Sequence, residues 1–394
     1  MKKVLSVLLA VIMMISLFAG CGGSSPAPDT SAPAEAVPSD EGSEAPASGD
    51  RIKIGVSIWS YTDALGQDVF NFLNHTAEAL DFDIEFAAHG FDTEETVSSV
   101  ENLIASGCDA VIVCNSSDGV MPKLINTCNE NGVYLAQFFR VISDEEIAAQ
   151  ALASDYYVGC THEAEVDNGY NLGKILIEEK GARHIGWTAW RVGDTTSLAR
   201  QEGYKKAVDE WNANNPDDQV ELYPLVDDKY TSEEARAAVE GMIDTYPDMD
   251  AIIVVGGGGM ALDGTLAAID GRNKTGEYYV VSTDFTTNLG EQLANNEISA
   301  MAGGHYADPL FSFMMVYNTI CGNYTRPADS WLEVNFPYLY VASTDDYKTY
   351  ETYFVNELPY NTEELKAMAG QSFEELQQTA ASLSIEDVAE RHGQ

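Results

Sequence analysis

The chain has 394 residues, with 63 acidic side chains against 21 lysines and arginines and a formal net charge of −42. A negative field of that size repels phosphate backbones, which argues against nucleic-acid binding. Hydrophobic residues make up 45% of the chain, enough for packed cores, and the length suggests about two domains.

The first 21 residues have the pattern of a lipoprotein signal peptide. Lys2 and Lys3 precede an apolar run over residues 4–19, and small residues then lead to Cys21 in a sequence that resembles a bacterial lipobox. The apolar run is short for a membrane-spanning helix. We therefore expect cleavage before Cys21, lipidation of this cysteine, and an extracytoplasmic protein anchored to the cell membrane.

Two further segments are set apart by composition. Residues 22–50 consist mainly of Pro, Ala, Ser, Gly and acidic residues, with almost nothing to bury, so we predict a disordered tether. Residues 346–394 are acidic and helix-prone, which predicts a helical C-terminal extension.

Five cysteines remain beyond the lipidation site, and their spacing matches neither a zinc pattern nor a redox CxxC motif. Three of them lie in or beside apolar runs, which indicates buried thiols that pack as small hydrophobic side chains. One disulfide stays open as an alternative, because the expected compartment is oxidising. The six histidines show no metal-binding spacing either, so we expect no metal and no cofactor.

From residue 51 onward, short β-branched runs alternate with helical stretches. Strands are predicted at 52–58, 82–88, 109–114, 132–138, 184–190, 219–226, 250–255, 277–283 and 298–303. Continuous apolar strands separated by helices indicate parallel sheets that are buried on both faces. Because these strands are too many for one compact sheet, we predict an α/β fold with two doubly wound parallel-sheet lobes.

The residues that follow the predicted strands are candidates for a ligand site, since open α/β sheets bind ligands beyond the carboxyl ends of their strands. Aromatic, cationic and acidic side chains recur there, namely Trp59, Tyr61, Phe138, Phe139, Arg140, Trp190, Asp284 and His305. Aromatic faces stack on the C–H faces of sugars and on nucleobases, while Arg and Asp bind hydroxyl groups. The pattern predicts a binding site for a small polar molecule and contains no catalytic constellation.

At this point the chain resembles the type I periplasmic binding proteins, the ribose, galactose and xylose group of solute receptors that feed ABC importers. The resemblance rests on the segments KIGVSIWSYTDALGQDVF, GVYLAQFFR, SLARQEGYKKAVDEW and VVSTDF. It implies that Trp59 and Tyr61 lie in a cleft and that Arg140, Arg200 and Asp284 contact ligand hydroxyls.

The resemblance also implies two lobes joined by a three-crossover hinge. The crossovers are expected near residues 155–160, 283–287 and 325–342. The expected lobes are residues 51–157 with 285–325, and residues 158–284 with 326–345.

The sequence departs from the family pattern at positions that usually contact the ligand. Phe139 replaces an acid before Arg140, glycines 257–259 replace a common Asn-Asp pair, and residues 303–305 read Gly-Gly-His where Gln is frequent. A conventional pentose or hexose site would lose polar contacts here. We therefore expect a roomier, more aromatic pocket that suits a larger or less polar solute, or a modified sugar.

These observations together predict a monomeric solute-binding lipoprotein that captures a small polar ligand, in the first place a sugar, and delivers it to an ABC permease. One alternative is a receptor that presents the same closed form to a sensor kinase, because both roles need only a ligand-dependent open and closed equilibrium.

A second alternative is a secreted dinucleotide-binding oxidoreductase. The segment from Gly256 to Ala261 satisfies GxGxxA between a predicted strand and a helix, with Asp270 and Glu277 downstream as possible ribose acids. Close approach of the backbone to a ligand or to a neighbouring element explains the glycines equally well.

Overall fold

The computed structural model describes residues 51–257 and 259–393. The predicted signal peptide, Cys21 and the tether lie outside the described residues. Within the described ranges, no helix has both the length and the hydropathy needed to cross a membrane.

Strands and helices alternate along the chain. The strands are β1 (Lys53–Ile58), β2 (Asp83–Ala88), β3 (Ala110–Val113), β4 (Tyr134–Phe138), β5 (Tyr157–Glu163), β6 (His184–Thr188), β7 (Glu221–Leu222), β8 (Ala251–Val254), β9 (Tyr279–Thr283), β10 (Ala300–Gly303), β11 (Leu332–Phe336) and β12 (Leu339–Val341). The helices are α1 (Ala64–Leu80), α2 (Thr93–Ala105), α3 (Met121–Asn131), α4 (Glu145–Ala153), α5 (Glu165–Lys174), α6 (Thr195–Asn214), α7 (Ser232–Thr245), α8 (Met260–Gly271), α9 (Leu289–Ala294), α10 (Asp308–Ile320), α11 (Thr344–Tyr350), α12 (Thr362–Met368), α13 (Phe373–Ala381) and α14 (Ile385–His392).

Local sequence sets the ends of many helices. The side chains of Asp63, Asp92 and Asp144 accept hydrogen bonds from first-turn amides of the helices that follow them, and Thr231 forms a capping box at the start of α7. Gly132 ends α3 in the left-handed conformation, which costs glycine little. These caps place each helix directly after the loop that leaves a strand.

The strands form two six-stranded sheets, in the orders β11-β5-β4-β3-β1-β2 and β12-β10-β9-β8-β6-β7. All strand pairs are parallel except β10 with β12. Central strands such as β3 and β8 are buried at every position, because helices cover both faces. The prediction of two doubly wound α/β lobes is confirmed, and the lobe that contains β1 is called the N-terminal lobe.

The lobe boundaries differ from those expected from the sequence. β5 pairs with β4 and β11 in the N-terminal lobe, so the chain first leaves this lobe at residues 163–165. The chain returns to the N-terminal lobe at residues 303–308, because β10 still pairs with β9 in the C-terminal lobe. The crossover expected at 283–287 is therefore a loop within the C-terminal lobe. The third crossover joins β11 to β12 at 336–339.

Residues 344–393 fold into helices that contact both lobes. α11 packs on α9 of the C-terminal lobe, whereas α12 packs on α1 and α13 on β11 of the N-terminal lobe. The hydroxyl of Tyr306 donates a hydrogen bond of 2.8 Å to the carbonyl of Phe354, which ties this extension to the second crossover.

The cysteines of the described residues are all free thiols. Cys108, Cys114, Cys128 and Cys160 are buried, as the apolar runs around them predict, whereas Cys321 is exposed. The alternative of a disulfide is therefore not realised in this structure.

Candidate functional site

Most of the predicted site residues lie at or just beyond the carboxyl ends of strands, and two of them mark the switch points of the sheets. In the N-terminal lobe β1 pairs with β2 on one side and β3 on the other, and in the C-terminal lobe β6 stands likewise between β7 and β8. Trp59 follows β1 and Trp190 follows β6. Open α/β sheets hold their ligands at such points.

All three crossovers contribute to a polar cluster at the hinge. Glu165 follows the first crossover, His305 lies in the second, and Tyr338 lies in the third. The hydroxyl of Tyr338 donates to Oε1 of Glu165 at 3.1 Å, and the rings of His305 and Tyr338 are 4.9 Å apart. Groups from all three crossovers therefore line one side of the candidate site.

Arg200 is bound by its neighbours within this cluster. Its Nε and Nη2 donate to the two oxygens of Glu165 at 2.6 and 3.1 Å, and Nη2 also donates to Tyr338 at 2.9 Å. Only 7% of the side chain is exposed. The resemblance predicts that Arg200 contacts a ligand, and this stays a prediction. In the structure its buried guanidinium links α6 to α5 and to the third crossover.

Asp284 lies against the backbone of Gly257. A Cβ atom at position 257 would stand 2.3 Å from Oδ2 of Asp284 and 3.6 Å from Nη1 of Arg200. Gly257 has φ +93° and Asp284 has φ +65°. Burial raises the pKa of Asp284, although the nearby cations Arg200 and Arg140 oppose this effect. Glycine is needed here because it lets the carboxylate approach the backbone closely.

His305 connects the two lobes at the site. Its Nε2 lies 3.5 Å from Oδ1 of Asp284, and its ring centroid is 5.3 Å from that of Phe139. Burial, with a contribution from Arg200, lowers the pKa of His305 to about 3. The imidazole is therefore neutral near pH 7, and its buried Nδ1 has no hydrogen-bond partner among the described residues.

Aromatic rings line the N-terminal side of the site. Trp59 is 5.8 Å from Phe139 and 5.5 Å from Phe91, which was not predicted. Phe139 has φ +57°, and its amide donates to Oδ1 of Asp308 at 3.2 Å. Nη1 of Arg140 donates to the carbonyl of Phe139 at 2.7 Å, and among the described residues the other guanidinium nitrogens have no hydrogen-bond partner.

Phe138 lies behind Phe139, away from the polar cluster. Its side chain is fully buried in the hydrophobic core of the N-terminal lobe, and a ligand contact by this residue stays a prediction. It is the last residue of β4, and its side chain points into the sheet packing rather than beyond the strand end. Phe139, one position later, is the aromatic residue that meets His305 and Trp59.

The aromatic neighbours of Tyr61 and Trp190 are residues outside the polar cluster. The Tyr61 ring packs on Phe70 and Phe86 at 5.7 and 6.3 Å, on the flank of the N-terminal lobe. Trp190 packs edge-on against Tyr230 at 5.6 Å. A ligand contact by either side chain stays a prediction.

Two buried carboxyl groups were missed by the sequence analysis. Glu163 ends β5 and Asp308 begins α10, and each has one oxygen without a partner among the described residues. Burial raises the pKa of both groups well above the ordinary range, and for Glu163 the neighbouring Asp308 adds to this effect. Their signal is weak in sequence because acidic residues are common throughout the chain.

The contacts of the glycine run do not fit a dinucleotide site. The carboxylate of Asp284 occupies the space beside Gly257, where a pyrophosphate would be repelled. Asp270 lies at the far end of α8, and Glu277 precedes β9 rather than following it. The glycines serve the close packing of Trp190 on Gly256 and of Asp284 on Gly257.

Two doubly wound lobes with a polar and aromatic site at the hinge define the class of hinged solute-binding proteins. The periplasmic binding protein domain family matches residues 54–310. The chain belongs to this family, and its fold is that of the type I periplasmic binding proteins.

Curated relatives are similar at low identity. The D-apiose import binding protein of Paraburkholderia graminis is 22% identical over 227 residues, which cover 58% of this chain and 67% of the relative. The D-ribose/D-allose-binding protein of Pseudomonas aeruginosa is 24% identical over 222 residues, 54% of this chain and 62% of the relative. The chain thus spans about two thirds of the length of these relatives.

Solved structures share the fold over nearly their whole length. An ABC transporter solute-binding protein from Actinobacillus succinogenes with bound D-allose has a TM-score of 0.64 at 16% identity, covering 76% of this chain and 100% of that one. A protein of the same kind from Bacillus halodurans with bound myo-inositol has a TM-score of 0.61 at 18% identity, covering 77% and 98%.

Proposed function

We propose that this protein is an extracytoplasmic solute-binding lipoprotein that captures a sugar between its lobes and delivers it to an ABC permease. The observation that carries the proposal is the arrangement at the hinge, where His305 lies between Asp284 of the C-terminal lobe and Phe139 of the N-terminal lobe, with Trp59 and Arg140 beside Phe139. Curated relatives named for apiose import and for ribose and allose binding support the sugar class.

The site offers complementary chemistry for a sugar ring. The carboxylate of Asp284, with 39% of its side chain exposed, can accept hydrogen bonds from two hydroxyls. The free donors of Arg140 and the neutral imidazole of His305 can bind further oxygens. The C–H face of the ring would lie on the aromatic side of the site.

Lobe closure would couple binding to recognition by the permease. Glu165, His305 and Tyr338 come from the three crossovers, so a ligand that contacts this cluster bonds to the elements that move. A ligand stabilises the closed form only by its differential affinity for that form. Lipidation at Cys21 would keep the protein near the permease, and Cys21→Ser should release it from membranes into the soluble fraction.

A thermal-shift screen tests the sugar class. The protein from residue 22 onward is heated with D-apiose, D-ribose, D-allose, arabinose, galactose, glucose or myo-inositol, and with amino acids and NAD as other classes. A ligand at about 100 times its dissociation constant stabilises the folded protein by about 2.7 kcal/mol. We expect at least one sugar to raise the melting temperature, and a panel in which no sugar does so would refute the proposal.

Two variants locate the site. Asp284→Ala should abolish most of the sugar-induced shift, since a hydrogen bond to a charged group contributes about 1.5–3 kcal/mol. Asp270→Ala, which removes an exposed carboxylate at the far end of α8, should leave the shift unchanged. A shift with NAD that depends on Asp270 would instead revive the oxidoreductase alternative.

A further inference from the structure

Phe91 lies beside the candidate site in the loop that follows β2. Its ring is parallel to that of Trp59, with interplanar angle 1° and centroids 5.5 Å apart. The guanidinium carbon of Arg140 is 5.9 Å from the centroid of the same ring. Phe91 is nevertheless 48% exposed, so it presents a large apolar surface next to groups that would bind a ligand.

The backbone of Phe91 is in the left-handed region, with φ +59°. The non-glycine residues with positive φ in the described ranges are Asp81, Phe91, Phe139, Asp228, Asn273, Asp284 and Asn296. Asp and Asn tolerate this conformation, but a bulky aromatic residue does not adopt it without cause. The two aromatic exceptions, Phe91 and Phe139, both lie against Trp59. Backbone strain of this kind persists where the surroundings enforce it and is concentrated at ligand sites.

His89 holds the strained residue in place. The amide of Phe91 donates to Nδ1 of His89 at 3.2 Å, and the amide of Gly90 donates to the carbonyl of Trp59 at 2.9 Å. His89 is buried, and burial lowers its pKa, so the ring is neutral with Nδ1 as the acceptor. The loop is thereby fastened both to β1 and to the side chain of His89.

We propose that Phe91 is a specificity-determining residue of the sugar site and that His89 is its positioning residue. This inference rests on the proposed function and names the ligand class more closely. Trp59, Phe91 and Phe139 form an aromatic shelf that selects a closed sugar ring with a C–H face. The acyclic polyol formed by reducing the sugar keeps the configuration of its hydroxyl groups but lacks such a face, and it gains less from the shelf.

Matched pairs of ring and open-chain ligands test the role of Phe91. Titration calorimetry compares D-ribose with ribitol, D-allose with allitol and galactose with galactitol, in the wild type and in Phe91→Gly. Glycine adopts φ +59° without strain, so this variant should keep its melting temperature while losing the ring. We expect affinity for the bound ring sugar to fall about tenfold, the effect of losing one good aromatic contact, and polyol affinity to stay within about twofold. Tyr279→Gly removes a partly exposed aromatic ring from the start of β9 and should change neither affinity.

Replacement of His89 tests positioning. His89→Leu should lower ring-sugar affinity as much as Phe91→Gly, and the double variant should be no weaker than either single variant. His89→Asn should restore most of the affinity, because an Asn side chain accepts the amide of the residue two positions later in an Asx turn. Additive losses, or an Asn variant no better than Leu, would overturn the role of His89.

The outcomes separate this inference from the proposed function. If the wild type binds a ring sugar and Phe91→Gly binds it equally well, the shelf has no role and the inference alone fails. Equal losses for ring and polyol would likewise refute selection by ring face. If no sugar binds the wild type, the proposed function fails and the specificity role fails with it.

Discussion

Replacing Arg200 by alanine should destabilise the folded protein strongly, because the guanidinium is the counter-ion of a largely buried carboxylate. It binds both oxygens of Glu165 and the hydroxyl of Tyr338, with 7% of its own side chain and 17% of the Glu165 side chain exposed. Breaking a buried ion pair by removing one partner costs about 3–5 kcal/mol. Since Glu165 keeps some access to water, we expect a loss near the lower limit, about 3 kcal/mol.

A surface pair with similar geometry provides the control. Arg272 binds both oxygens of Asp244, but here 32% and 64% of the two side chains are exposed. Solvent screens such pairs and they contribute little to stability. Arg272→Ala should therefore shift the unfolding midpoint far less than Arg200→Ala.

Urea unfolding of the ligand-free protein, followed by tryptophan fluorescence, measures both losses. Adding Glu165→Gln to Arg200→Ala should restore part of the stability, because it removes the unpaired charge. Equal and small losses for Arg200→Ala and Arg272→Ala would refute the argument that burial makes the loss of the Arg200–Glu165 ion pair costly. A double variant no more stable than Arg200→Ala would place the cost in packing or in Tyr338.

Other changes have expected results that follow from single contacts. Gly257→Ala should weaken sugar binding by about tenfold or more, because the added Cβ would stand 2.3 Å from Oδ2 of Asp284 and displace this carboxylate. Unchanged affinity in calorimetry would contradict this. The pKa of His305 is about 3 in the folded protein and near 6.5 when unfolded, so the unfolded state binds a proton first. The contribution of the neutral His305 to the free energy of unfolding is therefore complete above pH 6.5 and is lost as pH falls toward 3. His305→Gln should reduce the slope of the unfolding free energy against pH in that window. Tyr306→Phe leaves the buried carbonyl of Phe354 unpaired and should lower unfolding free energy by about 1–3 kcal/mol in urea titrations, whereas an unaltered midpoint would show that this bond is dispensable.

Much of the fold could be predicted from local patterns. Runs such as AVIV at β3 and AIIV at β8 are apolar throughout, and this property alone indicates a strand buried on both faces. The helices between them follow from apolar periodicity and from caps such as Asp92 and Thr231. The family resemblance added the hinge, which periodicity does not show.

The lobe boundaries could not be predicted in the same way. β5 is not among the predicted strands, because residues 155–160 were expected to form a crossover. It belongs to the N-terminal lobe because it pairs with β4 and with β11, which lies some 170 residues further along the chain. β12 is only three residues long and has no pattern of its own, yet it forms the antiparallel edge of the second sheet. Strand partners at such separations depend on which elements pack together.

The residues of the candidate site could likewise be predicted only in part. Reading strand ends found Trp59, Asp284 and His305, because a parallel sheet brings all its strand ends to one edge. It did not distinguish Phe138 from Phe139, since the side that a residue faces after a strand depends on the backbone turn, here φ +57° at Phe139.

By itself, the sequence determined the alternation of strands and helices and the chemical types of side chain at the strand ends. These are properties of short stretches of chain, set by periodicity, composition and turn preference. The tertiary structure alone decided that Glu165 and Tyr338 hold Arg200, that Gly257 makes room for Asp284, and that His89 fastens Phe91 against Trp59. The position of each of these groups depends on how elements distant in the chain pack, and packing is a property of the whole fold.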